Sequence, residues 1–165
     1  MKKLWSVLVM ALLLSGCAEA PVYESMGDVY QVMAPQAAKL TLELPREAAL
    51  LTMNSDAGDL YFCDGYILTV QTLAGGDLDR SLRTLTGYGR DMLTLLETRH
   101  PDGIRWECVW TGAGEGGDQV GRLLLMDDGN CHYAVTVMAP ASEAGALRLT
   151  WDTLFASVSL DRTAA

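Results

Sequence analysis

Histidine is nearly missing from this sequence: His100 and His132 are the only two in 165 residues. Nucleophilic catalysis needs a base beside its serine or cysteine, so the scarcity narrows the enzymatic options at once. No G-x-S-x-G elbow, H-E-x-x-H pair or Ser-x-x-Lys occurs, which removes the local signatures of several hydrolase classes. With two histidines to choose from, a triad distributed along the chain is not expected either. No C-x-x-C and no Cys/His cluster is present, so no zinc site is expected. Basic residues are few, 12 against 21 acidic ones, a balance that repels phosphate backbones and disfavours nucleic-acid binding. Finally, no apolar run reaches the ~18 residues that a membrane-spanning helix requires.

What is present begins at the N-terminus. Met1-Lys2-Lys3 supplies a positive segment, Leu4 to Leu14 is apolar apart from Ser6, and the small residues Ser15-Gly16 follow. This three-part layout is that of a secretory signal peptide, with an apolar core too short to cross a bilayer comfortably. Its last four residues, Leu14-Ser15-Gly16-Cys17, resemble the lipobox of bacterial lipoproteins. The resemblance implies a diacylglyceryl group on the Cys17 thiol and cleavage between Gly16 and Cys17. Two or more acyl chains, at about 0.8 kcal/mol per buried methylene, would hold the chain on a membrane without spanning it. Residues 1–16 carry two lysines and no acid, so the processed chain would have 10 basic and 21 acidic residues, a net charge of −11.

Residues 17–38 contain Pro21 and Pro35, several small residues and no sustained period, and read as a lipidated tether. Residues 39–160 read as one α+β domain. "KLTLELP" (39–45) alternates Leu40, Leu42 and Leu44 with polar neighbours, the pattern of a half-buried strand. Two or three short strands are expected over 49–73, with turns at Asn54 to Gly58 and Asp64-Gly65. Asp77 is placed to cap a short helix that buries Leu78, Leu82 and Leu85 and stops at Gly87. "RDMLTLLETRH" (90–100) is ambiguous and inclines to strand, since His100-Pro101-Asp102-Gly103 makes a turn. "IRWECVWT" is a strand with Trp106, Cys108 and Trp110 on one face, and "QVGRLLLMDDGNCHYAVTVM" is two strands joined at Asp127-Asp128-Gly129-Asn130. A long amphipathic helix is expected from Pro140 to about Val158, burying Leu147, Trp151, Leu154, Phe155 and Val158.

These elements compose a mainly antiparallel sheet covered by a short helix and a long C-terminal one. The order resembles the PsbP-like α/β sandwich, through Thr86-Gly87 after the first helix, the meander ending "CHYAVTVMA" and the closing "WDTLFASVSL". The likeness implies an exported, membrane-associated, non-catalytic role and carries over no functional residue, metal ligand or cofactor site.

Four other features invite chemistry. Gly112, Gly114 and Gly117 fit G-x-G-x-x-G, but an apolar strand-like stretch follows where a nucleotide cradle needs a helix. A hairpin loop is the expected reading, with no nucleotide. The pairs Asp77/Asp79, Glu115/Asp118 and Asp127/Asp128 supply only fragments of a calcium loop and read as caps and turns. Cys63, Cys108 and Cys131 lie in apolar runs and read as structural thiols, although export would permit a disulfide. Trp106, Trp110 and Trp151 read as core, with a shared ligand pocket as the alternative.

The expectation is therefore a non-enzymatic lipoprotein on the extracytoplasmic face of the cell membrane. It would carry no cofactor and would bind an envelope protein or assist an envelope complex. The alternatives are a binding module presenting a small molecule or calcium to a transporter and, more remotely, an envelope hydrolase.

Overall fold

The computed structural model describes residues 38–54, 58–114 and 116–161. The expected signal peptide and nearly all of the expected tether lie outside them. The chain runs β1 (Lys39–Thr41), β2 (Ala49–Asn54), β3 (Gly58–Cys63), β4 (Tyr66–Ala74), α1 (Leu78–Thr86), a 3-10 turn (Arg90–Met92), β5 (Leu96–His100), β6 (Gly103–Gly114), β7 (Gly117–Asp127), β8 (Cys131–Pro140), α2 (Ala144–Ser157) and β9 (Ser159–Asp161). It is an α+β protein, with a seven-stranded antiparallel sheet in the order β2-β3-β4-β8-β7-β6-β5 and a separate β1-β9 pair.

Two meanders make the sheet. β2, β3 and β4 pair in succession, and Gly58 and Gly65 take φ of 83° and 79°, where a side chain would be strained. β5 to β8 form the second meander, and β8 closes the sheet by pairing with β4 from Ile67↔Met138 to Ala74↔Cys131. To pass from β4 to the far edge at β5, the chain must cross β8, β7 and β6, and α1 makes that crossing.

Its cap is the one expected: Asp77 accepts from the Arg80 N–H at 3.0 Å, and Gly87, at φ 80°, donates to the Arg83 carbonyl. Leu82 is fully buried and packs with Trp106, Cys108, Trp110, Leu123, Leu125 and Ala134. Trp151, Leu154, Phe155 and Val158 of the C-terminal segment pack instead with Tyr66, Leu68, Leu124, Met126, Tyr133, Val135 and Val137. Leu123 and Leu124 are neighbours on one strand and so point to opposite faces. The two helices therefore contribute to separate cores on the two sides of the sheet. Central β7 and β8 are buried on both faces, which is why "RLLLM" and "YAVTV" read as continuous apolar runs rather than alternating ones.

Three expectations need correction. Pro140 does not open α2; it ends β8 opposite Gln119, where its missing N–H leaves no gap in the central ladder, and α2 begins at Ala144. The 39–45 strand stops at Thr41, because β1 has only β9 to pair with and the Glu43 N–H turns to Ser157 Oγ. Residues 90–100 divide between the 3-10 turn and β5.

Two predictions follow from packing and polar contacts. A Cβ on Gly121 would stand 2.3 Å from Trp110 Cζ2, so the bare backbone is the seat of that indole. Gly121→Ala should lower unfolding free energy by about 1–3 kcal/mol, measured by urea titration. At the β7–β8 turn, Asp128 accepts from the Asn130 and Cys131 N–H groups and the Tyr133 hydroxyl, each at 2.8 Å. Burial opposes the charge on Asp128, but these bonds outweigh it and hold its carboxyl below the ordinary value of 3.8. A lowered carboxyl pKa means fewer protons bound in the folded state, so its contribution is full at neutral pH and fades in acid. Melting temperature should fall more steeply below about pH 4 in the natural protein than in Asp128→Asn.

Candidate binding site

The features singled out in the sequence resolve first. Gly112 and Gly114 lie inside β6, Gly117 opens β7, and Gly114 pairs with Gly117 across a tight hairpin. A phosphate there would face a strand end, without the converging N–H groups of a helix N-terminus. The carboxylates have local duties. Asp77 caps α1, Asp79 pairs with Arg83 at 2.8 Å and accepts from the Arg90 N–H, and Asp127 accepts from the Gly129 N–H. Asp118 is exposed, and Glu115 lies outside the described residues. Among the described residues, no three His, Cys, Asp or Glu side chains converge to hold a metal ion.

The cysteines are unpaired with one another, Cys63 and Cys108 buried and Cys131 half-buried. Burial pushes the Cys108 thiol up to about 11 and raises Cys63 as well. Both stay protonated at neutral pH and behave as apolar packing.

One contact between α1 and β8 was not legible beforehand. Ser81 Oγ lies 2.7 Å from His132 Nδ1, and His132 Nε2 lies 3.9 Å from an Asp127 oxygen. The succession is serine, histidine, aspartate, yet the geometry is that of a core contact. Ser81 and His132 are 4% and 1% exposed, and Trp106 closes edge-on over the imidazole at 6.2 Å. Asp127 stands beyond hydrogen-bond distance. No substrate carbonyl can meet a serine so enclosed; the pair pins α1 to the sheet. His100, at the end of β5, is exposed and opposite Gly103.

The tryptophans do not share a pocket. Trp106 and Trp110 belong to the core on the α1 side, and Trp151 belongs to the core on the other. Trp151 does line a groove of about 790 Å³ between the first half of α2 and the face of β5, β6 and β7. The groove exists because the sheet is wider than one helix can cover. β6 turns Trp106, Cys108 and Trp110 toward α1, which leaves Glu107 and Val109 facing the α2 side. There Val109 is 57% exposed, and neighbouring Leu96 is 61% exposed. Val120 and Ala144 complete the apolar wall.

Arg122 occupies the groove floor. Its guanidinium forks to Glu107 Oε2 at 3.0 Å and to the Asp152 carboxylate, and lies 4.8 Å above the Phe155 ring. Burial disfavours the Arg122 charge, but the hydrogen bonds it donates to the two carboxylates prevail and raise its pKa. Asp152 is correspondingly held below its ordinary range, chiefly by its bond to Arg122. Arg148 stands 3.9 Å from Asp152 at the rim. Two cations thus balance two anions beside the apolar wall. Arg122, Glu107 and Asp152 went unnoticed in the sequence, although an arginine inside "VGRLLLM" is itself a sign of buried counter-charges.

No protein family is matched by the sequence, and no curated protein matches it. Solved structures are similar in fold. A Bacteroides thetaiotaomicron protein aligns with TM-score 0.50 and 12% identity over 76% of this chain and 46% of its own. This chain therefore spans less than half of that protein. LpqN of Mycobacterium tuberculosis, involved in cell envelope biogenesis, aligns with TM-score 0.52 and 11% identity over 79% of this chain and 87% of its own. At such identities the likeness is one of fold.

Proposed function

We propose that this chain is an exported, non-catalytic lipoprotein of the bacterial cell envelope, held on the extracytoplasmic face of the membrane by a lipid on Cys17. The observation that carries this reading is Leu14-Ser15-Gly16-Cys17 at the end of a charged and then apolar segment. The fold likeness to an envelope-biogenesis protein supports it. Among the described residues no helix is long and apolar enough to cross a membrane. The antiparallel sheet with a helix in each core is the basis for reading the domain as a PsbP-like sandwich. Enclosure of Ser81 and His132 favours binding over hydrolysis.

The domain would then act by engaging an envelope protein or a ligand. The groove beside Trp151 favours a ligand as the second reading. Calcium draws no such support, because the paired carboxylates that bear hydrogen bonds are committed to caps, turns and ion pairs.

Cys17→Ala tests the anchor. Metabolic labelling with a tagged fatty acid should mark the natural chain and not the variant, which should leave the membrane fraction. Undiminished labelling of Cys17→Ala would refute the assignment.

A further inference from the structure

We propose that the groove beside α2 binds a single uncharged aliphatic chain, the acyl or alkyl part of a neutral lipid. This deepens the binding reading above and names what is bound. Charge selects the occupant first. Arg122 is committed to Glu107 and Asp152, and Arg148 lies beside Asp152. A charged head group brought to the floor would lose hydration and meet in Arg122 a cation already paired with two carboxylates.

Main-chain satisfaction selects second. β7 is paired with β6 and β8, and β6 is paired with β5 from Gly103 to Glu107. Along β7 and that part of β6 the floor therefore has no row of free N–H and C=O groups with which an extended peptide could form a ladder, although β6 beyond Glu107 pairs only with β7 among the described residues. Shape and lining select third. Leu96, Val109, Val120 and the Trp151 indole line the walls, and about 790 Å³ falls within the size range of small-ligand sites. Leu96 and Val109, 61% and 57% exposed, have little cover from the described residues, and buried methylenes would supply it. A domain tethered to a membrane also sits beside a supply of such chains.

The test uses full-length protein in envelope membranes and a neutral, diazirine-bearing, alkyne-tagged hexadecanol. Irradiation should attach the tag to peptides containing Leu95-Leu96, Val109 or Ala144 to Trp151. Gly145 lines the groove, and a Cβ there meets nothing within 4 Å. Gly145→Phe should therefore keep the fold and lower groove labelling roughly tenfold, while Ala146→Phe, which is not a lining residue, leaves it unchanged. If Gly145→Phe fails to fold, Val109→Trp supplies the same block from a position already exposed. A tagged hexadecanoate should label the groove roughly tenfold less than the alcohol.

Labelling that ignores the blocking substitution, falls outside the groove or is equal for the carboxylate overturns the proposal. Released Cys17→Ala protein should still be labelled in the groove, whatever becomes of the anchor. Labelling that appears only in Cys17→Ala would assign the groove to the chain's own lipid. A photocrosslinker at Leu96 that captures an envelope polypeptide instead would assign it to a protein. Either result overturns the proposal.

Discussion

Burial of β7 and β8 on both faces is the constraint from which the remaining architecture follows. Leu123 to Met126 and Tyr133 to Val137 are closed to water on each side, so the sheet needs cover above and below. Exposed residue by residue, so many large apolar groups would each forfeit about 1.5–3 kcal/mol. The chain meets the need with its connections. The route from β4 to the far edge lays α1 over one face, and the return from β8 to β9 lays α2 over the other. The Ser81–His132 contact belongs to the same requirement, because it fixes the shorter of the two covers by a buried, satisfied polar bond.

Arg122 marks the limit of that cover. A guanidinium in an apolar strand is tolerable only with counter-charges at hand. Here they come from a neighbouring strand and from α2, as Glu107 and Asp152, with Phe155 beneath. The cluster thus anchors α2 to the sheet at the line where helix gives way to open groove. It also balances the charges along that line, two arginines against two carboxylates.

Much of the fold was legible because local signals and global layout agree. Asp77 and Gly87 bracket α1, the Asp-Gly turn divides β7 from β8, and the 151–154–155–158 spacing identifies the buried side of the last helix. Pro140 misled because proline is accepted both at a strand end and in a first helical turn. The brevity of β1 was hidden because the alternation of Leu40, Leu42 and Leu44 reports burial, whereas strand length depends on a partner more than a hundred residues away. The groove was the least legible part. Its walls come from β5, β6, β7 and α2, and the fact that makes it, a sheet wider than its helix, belongs to no single segment. Trp106, Trp110 and Trp151 are core, as expected, but their division between two cores was hidden for a related reason: Trp106 and Trp151 are far apart in sequence, and only the closed sheet decides which side each occupies.

The place of β8 has a consequence for the order of assembly. It sits between β4 and β7, so Ile67 to Ala74 must wait for partners at Cys131 to Met138. The first meander is left with an open inner edge until more than half of the remaining chain has been made, and the separation between partners makes closure slow. Stability therefore arrives late and together, with the last strand of the sheet acting as its keystone. A chain threaded across a membrane from its N-terminus would stay pliable through most of its passage and lock only as β8, from Cys131 to Pro140, emerges.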